Sequence, residues 1–146
     1  MKAPLNADRD IRDLVPHAGA MCLLERIVSA DDASVVCATT THRSAANPLR
    51  HEGRLAALHL AEYGAQAMAV HGGLRGDAAR AGMLVAVRDL KLHVERVDDV
   101  EGEILVEARR LIASQNGLIY AFSVRAGTGE LASGRVSVMW PESRAR

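Results

Sequence analysis

The sequence predicts an α+β domain in which an antiparallel sheet wraps around one long helix. The first observation is the segment Arg54–Val70, which has no proline and a single charged residue after Arg54. A helix so short of charge is expected to be surrounded by protein. The second observation is the chain after Gly76, where apolar and polar residues alternate with period two, as in half-buried strands.

Before the helix, the stretch Ser34–Thr41 is rich in β-branched residues and predicts a single strand. A loop follows over Arg43–Gly53, marked by an Asn-Pro pair. The predicted helix Arg54–Val70 ends at His71-Gly72-Gly73, because glycine is a common residue just after a helix.

Later segments predict a meander of antiparallel strands. The apolar phase slips near Arg88-Asp89, which indicates a bulge. The connections 97–102, 114–117 and 127–129 are short and turn-like, so neighbouring strands should pair. One helix cannot cover a wide sheet, and we therefore expect at least a homodimer. The predicted strands are 83–94, 103–112, 118–125 and 132–140.

Length and composition indicate one domain over residues 1–146 in an ordinary globular protein. Eighteen basic residues balance eighteen acidic ones, which argues against a nucleic-acid partner. Cys22 and Cys37 lie in apolar stretches and are expected to be buried free thiols. The absence of a secretory leader or a membrane-length apolar run predicts a cytoplasmic protein without a membrane span.

Glu62 is unusual because it interrupts an apolar stripe read at steps of three and four. A carboxylate on an apolar stripe is costly to bury unless it is paired or has a chemical role. An ion pair with an arginine of the sheet, or a place at a dimer interface, are the structural alternatives. The stripe consists of Leu55, Leu58, Glu62, Ala65 and Ala69.

His17 and Gln66 are the other candidate site residues. His17 follows a proline and precedes small residues that leave space for a ligand, although a loop histidine without a role would have the same sequence. Gln66 lies one turn after Glu62 and could orient a water or the carboxylate, or could be a helix-surface amide.

Other site chemistries have little support in the sequence. His59 and Glu62 have the spacing of a metal-binding pair, but a second such pair is missing, so we expect no metal. The chain also lacks a phosphate loop, a dinucleotide fingerprint and a nucleophile elbow, so we expect no cofactor.

Two motifs together resemble the hotdog-fold 3-hydroxyacyl-(acyl-carrier-protein) dehydratases of type II fatty-acid synthesis. The likeness extends over nearly the whole chain and is greater to a divergent branch found with bacterial aryl-polyene and related polyketide-type clusters. The first motif is Pro16-His17-x-x-x-Met21-x-Leu23-Leu24-x-Arg26-Ile27, and the second is Glu62-x-x-Ala65-Gln66.

The resemblance implies a hotdog fold, a dimer with a continuous sheet and an active site formed across the dimer interface. His17 of one protomer would remove the proton next to the thioester, and Glu62 of the other would protonate the departing hydroxyl. Gln66 would support Glu62, and the helix-start amide, at Ala57, would hold the enolate oxygen. The implied partner is an acyl carrier protein that carries the acyl thioester.

This chain departs from the family pattern at the helix entry, where Ala56-Ala57 replaces the usual Pro-Gly. Ala20-Met21 also stands where the family usually has an aromatic residue. Two alternatives remain open: thioester hydrolysis with Glu62 as the base, and a non-catalytic acyl-binding partner in a heterodimeric dehydratase.

Overall fold

In the residues that the structure describes, six antiparallel strands form one sheet, and one long helix packs on one of its faces. The computed structural model describes residues 4–15, 19–76, 83–127 and 129–140. The strand order is β1-β2-β4-β5-β6-β3, which confirms the predicted α+β class. The elements are β1 (Arg26–Ala30), β2 (Ser34–Thr39), α1 (Leu60–Leu74), β3 (Met83–Leu92), β4 (Ile104–Ala113), β5 (Gly117–Ala126) and β6 (Gly129–Met139).

Helix α1 begins later and ends later than predicted. Its entry is a short 3-10 turn, Ala57–His59, because the preceding backbone is bonded to the chain between β3 and β4. Its end passes through both glycines, so the predicted stop at His71-Gly72-Gly73 is wrong. Gly73 is used for packing instead, since a Cβ there would lie 3.0 Å from the Leu14 side chain.

The alternation in the later strands is confirmed. Ile104, Val106 and Ala108 of β4 are buried, and so are the even-numbered residues 118–124 of β5. The bulge predicted near Arg88-Asp89 is also present, because the β3–β6 register shifts after Arg88 and Asp89 has a φ of +54°. These faces form the core together with the buried side of α1.

Strand β1 was not predicted from the sequence. Its register to β2 shifts between Ile27 and Ser29, which leaves Val28 exposed and breaks the period of two. The neighbouring strand β2 ends at Thr39, two residues before the predicted end, because a 3-10 turn begins at Thr41.

The predicted turn at 97–102 does not join paired strands. Strand β3 pairs with β6 at the sheet edge, and the chain then crosses back to β4 in the middle. Val97 is fully buried on this crossing, and its N–H donates to Leu55 O. In the part of the chain that the structure describes, no helix has the length and apolar character of a membrane span.

Candidate active site

Glu62 lies in the first turn of α1 and is half-buried. The helix buries its other face, which carries Leu60, Tyr63, Gly64 and Gln66. Leu55, which precedes the helix, is fully buried, but the rest of the predicted stripe is the more open side of the helix, and Leu58 on that side is 57% exposed. Glu62 does not interrupt a buried apolar face within one protomer, and this part of the sequence interpretation is wrong. Its place near the helix start suits a carboxylate, because the helix dipole favours negative charge there.

His17 falls in residues 16–18, which lie outside the described residues. The chain on either side is well anchored, since Val15 and Leu23 are both buried. Between them, residues 19–21 form a short 3-10 turn in which Gly19 has a φ of +61°. Glycine adopts this left-handed conformation readily, so Gly19 turns the backbone two residues after His17 in the sequence.

Gln66 joins the helix to the middle of the histidine motif. Its Oε1 accepts a hydrogen bond from Leu23 N at 2.9 Å, and its Nε2 donates to Met21 O at 2.7 Å. The side chain is 1% exposed, so it is not a helix-surface amide. Because both ends of the amide bind backbone, Gln66 holds residues 21–23 against the turn that follows Glu62. We call this pair of bonds the Gln66 clamp.

A buried polar network extends the clamp. Leu23 O accepts hydrogen bonds at 2.6 Å from the hydroxyls of both Thr39 and Thr41. The Thr41 hydroxyl lies 2.9 Å from Tyr63 Oη, which also accepts from Asn47 Nδ2 at 2.9 Å. Helix α1 therefore holds Leu23 from two positions, Tyr63 and Gln66. Sequence reasoning missed this network because threonines in a β-branched run also indicate an ordinary strand.

Ala57 is buried, and its N–H donates to Glu95 O at 3.0 Å. The adjacent bridge between Ala56 and Arg96 fixes this contact. The amide implied as the enolate donor is thus already engaged within the fold. Leu58 N–H comes next at the helix start, and no backbone partner outside the helix is present for it among the described residues.

The crossing between β3 and β4 holds the helix entry from the other side. Asp98 Oδ1 accepts from Leu55 N at 2.9 Å, and Asp98 also pairs with Arg96. The Arg96 guanidinium beside Asp98 holds the pKa of that carboxyl well below its usual range. The fully buried His42 donates from Nε2 to Val100 O at 2.9 Å, and desolvation lowers the pKa of His42.

The thiols are poorly placed for nucleophilic chemistry. Cys37 is free and buried, and burial raises the pKa of its thiol to about 12. Cys22 is only partly buried, unlike the expectation, and burial also raises its pKa. Within the described ranges, no group of three His, Cys, Asp or Glu side chains has the geometry of a metal site.

Comparisons with known proteins identify related folds. The family model named ApeP-like, described as ApeP dehydratase, matches residues 9–146. A solved structure described as the dehydratase heterocomplex ApeI:P from Xenorhabdus doucetiae has a TM-score of 0.79 at 22% identity, over 92% of this chain and 93% of that chain. No curated protein matches the sequence.

Other structural neighbours are more distant. AziG of S. sahachiroi has a TM-score of 0.60 at 14% identity, over 89% of this chain and 99% of that chain. The thioesterase HI1161 of Haemophilus influenzae also has a TM-score of 0.60, at 9% identity, over 80% of this chain and 78% of that chain. These likenesses confirm the predicted hotdog fold.

Proposed function

This chain belongs to the ApeP-like dehydratase family, and we propose that it removes water from 3-hydroxyacyl thioesters carried on an acyl carrier protein. The product is the trans-2-enoyl thioester. The Gln66 clamp is the observation that carries the proposal, since within each protomer it holds the segment after His17 at a fixed position on the helix that carries Glu62. A site shared between two protomers needs both segments to be held in this way.

His17 acts as the base in the proposed reaction. It takes the proton from the carbon next to the thioester carbonyl, and the electron pair of that C–H bond forms the new double bond. Glu62 donates a proton to the 3-hydroxyl as the C–O bond breaks, so that water leaves. A proton transfer from His17 to Glu62 restores the starting state. Each such transfer contributes about 10²–10⁴-fold to the rate.

The developing enolate oxygen needs a hydrogen-bond donor. Because Ala57 N–H donates to Glu95 O, we assign this role to Leu58 N–H at the helix start. Backbone amides at a helix N-terminus stabilise negative charge through their free N–H groups and the helix dipole. Leu58 is exposed in one protomer, which leaves its surroundings open to substrate or to a second protomer.

A non-catalytic partner subunit is the second candidate. Two observations favour it: the engaged Ala57 amide, and the heterocomplex named for the similar structure of Xenorhabdus doucetiae. In this case the chain would complete a heterodimer with a related subunit that supplies the catalytic residues.

The decisive assay gives the purified protein a 3-hydroxyacyl carrier-protein thioester and follows the product by mass. If the substrate loses one water when this protein is the only one present, the result supports catalysis by a homodimer. Loss of water only after a related subunit is added supports the partner function. Release of the free acid supports thioester hydrolysis and contradicts the dehydratase proposal.

Two substitutions test the assigned roles. His17→Ala and Glu62→Gln should each reduce turnover by about 10²-fold or more, because each removes one proton transfer. His51→Ala and Glu52→Gln are matched controls, since both of these residues are exposed. Normal turnover in either site variant, with an unchanged melting temperature, removes that residue from the mechanism.

A further inference from the structure

The face of the sheet opposite α1 carries a row of three arginines. In the strand register, Arg109 lies opposite Ala121, Ala121 opposite Arg135, and Arg135 opposite Arg88. Directly paired residues project from the same face of a sheet, so these side chains form one row across β4, β5, β6 and β3. The row spans about 15 Å, because adjacent strands lie about 4.8 Å apart.

The row is open to solvent. The side chains of Arg109 and Arg135 are 60% and 57% exposed, while their neighbours Ala108, Gly134 and Val136 are buried on the helix side. Among the described residues, the Glu107 carboxylate lies 3.7 Å from the Arg109 guanidinium, and the Asp89 carboxylate lies 3.9 Å from that of Arg135. Exposed pairs at such distances are weak, so these guanidiniums remain available to a ligand.

A pair of apolar side chains adjoins the row of arginines. Arg110 pairs with Tyr120, but Ile112 pairs with Ile119, so Leu111 is an extra residue that forms a bulge. The bulge brings Ile112 to the outer face beside Ile119, and Ile112 is 54% exposed. Bulges commonly re-aim a side chain in this way. We call the three arginines and these two isoleucines the arginine face.

The arginine face has the composition of a protein interface rather than of a nucleic-acid site. Arginine and bulky apolar residues are enriched at the centres of protein interfaces. A phosphate backbone would lie against Glu107 and Asp89, and the zero net charge of the chain gives little long-range attraction to a polyanion. A two-fold contact between copies would place arginines against arginines, which is unfavourable.

We propose that the arginine face docks the acidic surface of a different protein, with Ile112 and Ile119 contacting an apolar residue at its centre. The isoleucines lie two residues of β5 away from the row, or about 7 Å along the strands, and the row spans about 15 Å across them, so the contact is small and transient. It lies on the opposite side of the sheet from α1 and Glu62, and the proposal is independent of the proposed catalytic function.

A binding experiment tests this proposal with three labelled probes of equal charge: a peptide of alternating Glu pairs and Leu, an oligoglutamate, and an oligothymidine. The Glu/Leu peptide should bind the full chain most tightly, and raising the salt concentration should weaken it. Tighter binding of oligothymidine, or no binding of any probe at low salt, overturns the proposal.

Charge reversal locates the surface. Arg109→Glu with Arg135→Glu should weaken peptide binding about tenfold or more. The control pair, Arg9→Glu with Arg12→Glu, changes the net charge equally at two other exposed positions and should weaken binding less. Equal loss in both pairs would show a non-specific charge effect and overturn the proposal. Arg109→Gln with Arg135→Gln gives a milder version of the test if the reversed pair fails to fold.

Ile112→Ser tests the contribution of the isoleucine pair separately. It should remove the preference for the Glu/Leu peptide over oligoglutamate and leave oligoglutamate binding unchanged. An unchanged preference would show that the isoleucines do not contact the partner.

Discussion

Gln66 shows how one side chain can determine the geometry of the candidate site. The sequence suggested that its amide could orient a water or Glu62. In the structure both amide atoms are instead satisfied by the backbone of Met21 and Leu23. A buried amide with two backbone partners has little freedom, so the clamp fixes the spacing between the helix and the histidine motif.

Gln66→Leu should lower the free energy of unfolding by about 2–4 kcal/mol, because it leaves Met21 O and Leu23 N buried without partners. It should also lower kcat more than it raises KM, since it disturbs the position of His17 rather than the binding of substrate. Chemical denaturation and steady-state kinetics measure the two effects. Gln115→Leu is the matched control at an exposed glutamine, and equal losses in both variants would contradict the clamp.

His71 is a buried imidazole in a fixed tautomer. Its Nε2 donates to Asp31 O at 2.8 Å, and its Nδ1 accepts from Tyr120 Oη at 2.5 Å. Arg110 also donates to Tyr120 Oη. Protonation of His71 would break the Tyr120 hydrogen bond, and desolvation together with the nearby arginines lowers the pKa of His71.

A lowered folded-state pKa makes stability depend on pH with a definite sign. Between the folded pKa and the unfolded value near 6.5, the unfolded chain binds more protons, so stability should fall as the pH drops below about 7. His71 contributes a slope of at most about 1.4 kcal/mol per pH unit. Buried His42 also has a lowered pKa and adds a slope of the same sign. Urea unfolding from pH 8 to pH 5 measures the sum; His71→Gln should reduce the slope to the part that remains from His42, and exposed His51→Gln should leave it unchanged. A wild-type curve without any acid slope would contradict this account.

At the scale of elements, helix α1 depends on glycine where it meets the sheet. A Cβ on Gly64 would lie 2.4 Å from Phe122 Cγ, and one on Gly134 of β6 would lie 2.9 Å from the same ring. Phe122 is 3% exposed and therefore has no room to move away. The two glycines allow the helix and the sheet to approach closely around this ring.

Gly64→Ala should destabilise the fold by about 1–3 kcal/mol, because overpacking outweighs the gain in helix propensity. Gly72→Ala is a control on the same helix, where an added Cβ meets nothing within 4 Å. That variant should be stabilised by up to about 1 kcal/mol. Thermal unfolding of both variants measures the contrast, and a shift in the same direction would contradict the packing argument.

The sequence predicts an element well where the residues of its apolar pattern are also the residues that the fold buries. The alternation at 118–124 survives folding because β5 lies in the middle of the sheet, with one face on α1. The helix end was misjudged because Gly73 serves contact with Leu14, which local preference does not reveal. Strand order could not be read from turn lengths, since β3 pairs with the distant β6.

The candidate site was predictable as a pair of motifs but not as a geometry. Glu62 and Gln66 stand out by type and spacing, yet only the fold shows that Gln66 binds the 21–23 backbone and that Ala57 N–H is engaged. The partners of these groups lie more than 30 residues away in the chain, at Leu23 and Glu95. No local pattern encodes such pairings.

At the scale of the whole molecule, the open side of α1 and the edge strand β3 leave apolar surface to be covered. Leu58, Val87 and Leu92 are all substantially exposed in one chain. Exposed apolar groups of this kind are typical of a surface that a second subunit covers. Glu62 lies on the same open side of the helix, so the proposed site and the proposed dimer interface belong together.

Subunit complementation tests whether the site forms between protomers. Co-expressed His17→Ala and Glu62→Gln chains should regain activity, because each mixed dimer contains one site with both native residues. Random pairing predicts roughly a quarter of wild-type turnover. The doubly substituted chain paired with wild type is the converse control, since its mixed dimers would contain no intact site. The opposite result would be active mixed dimers of the doubly substituted chain with wild type, and inactive mixed dimers of the two single variants. That result would place His17 and Glu62 within one protomer and contradict a shared site.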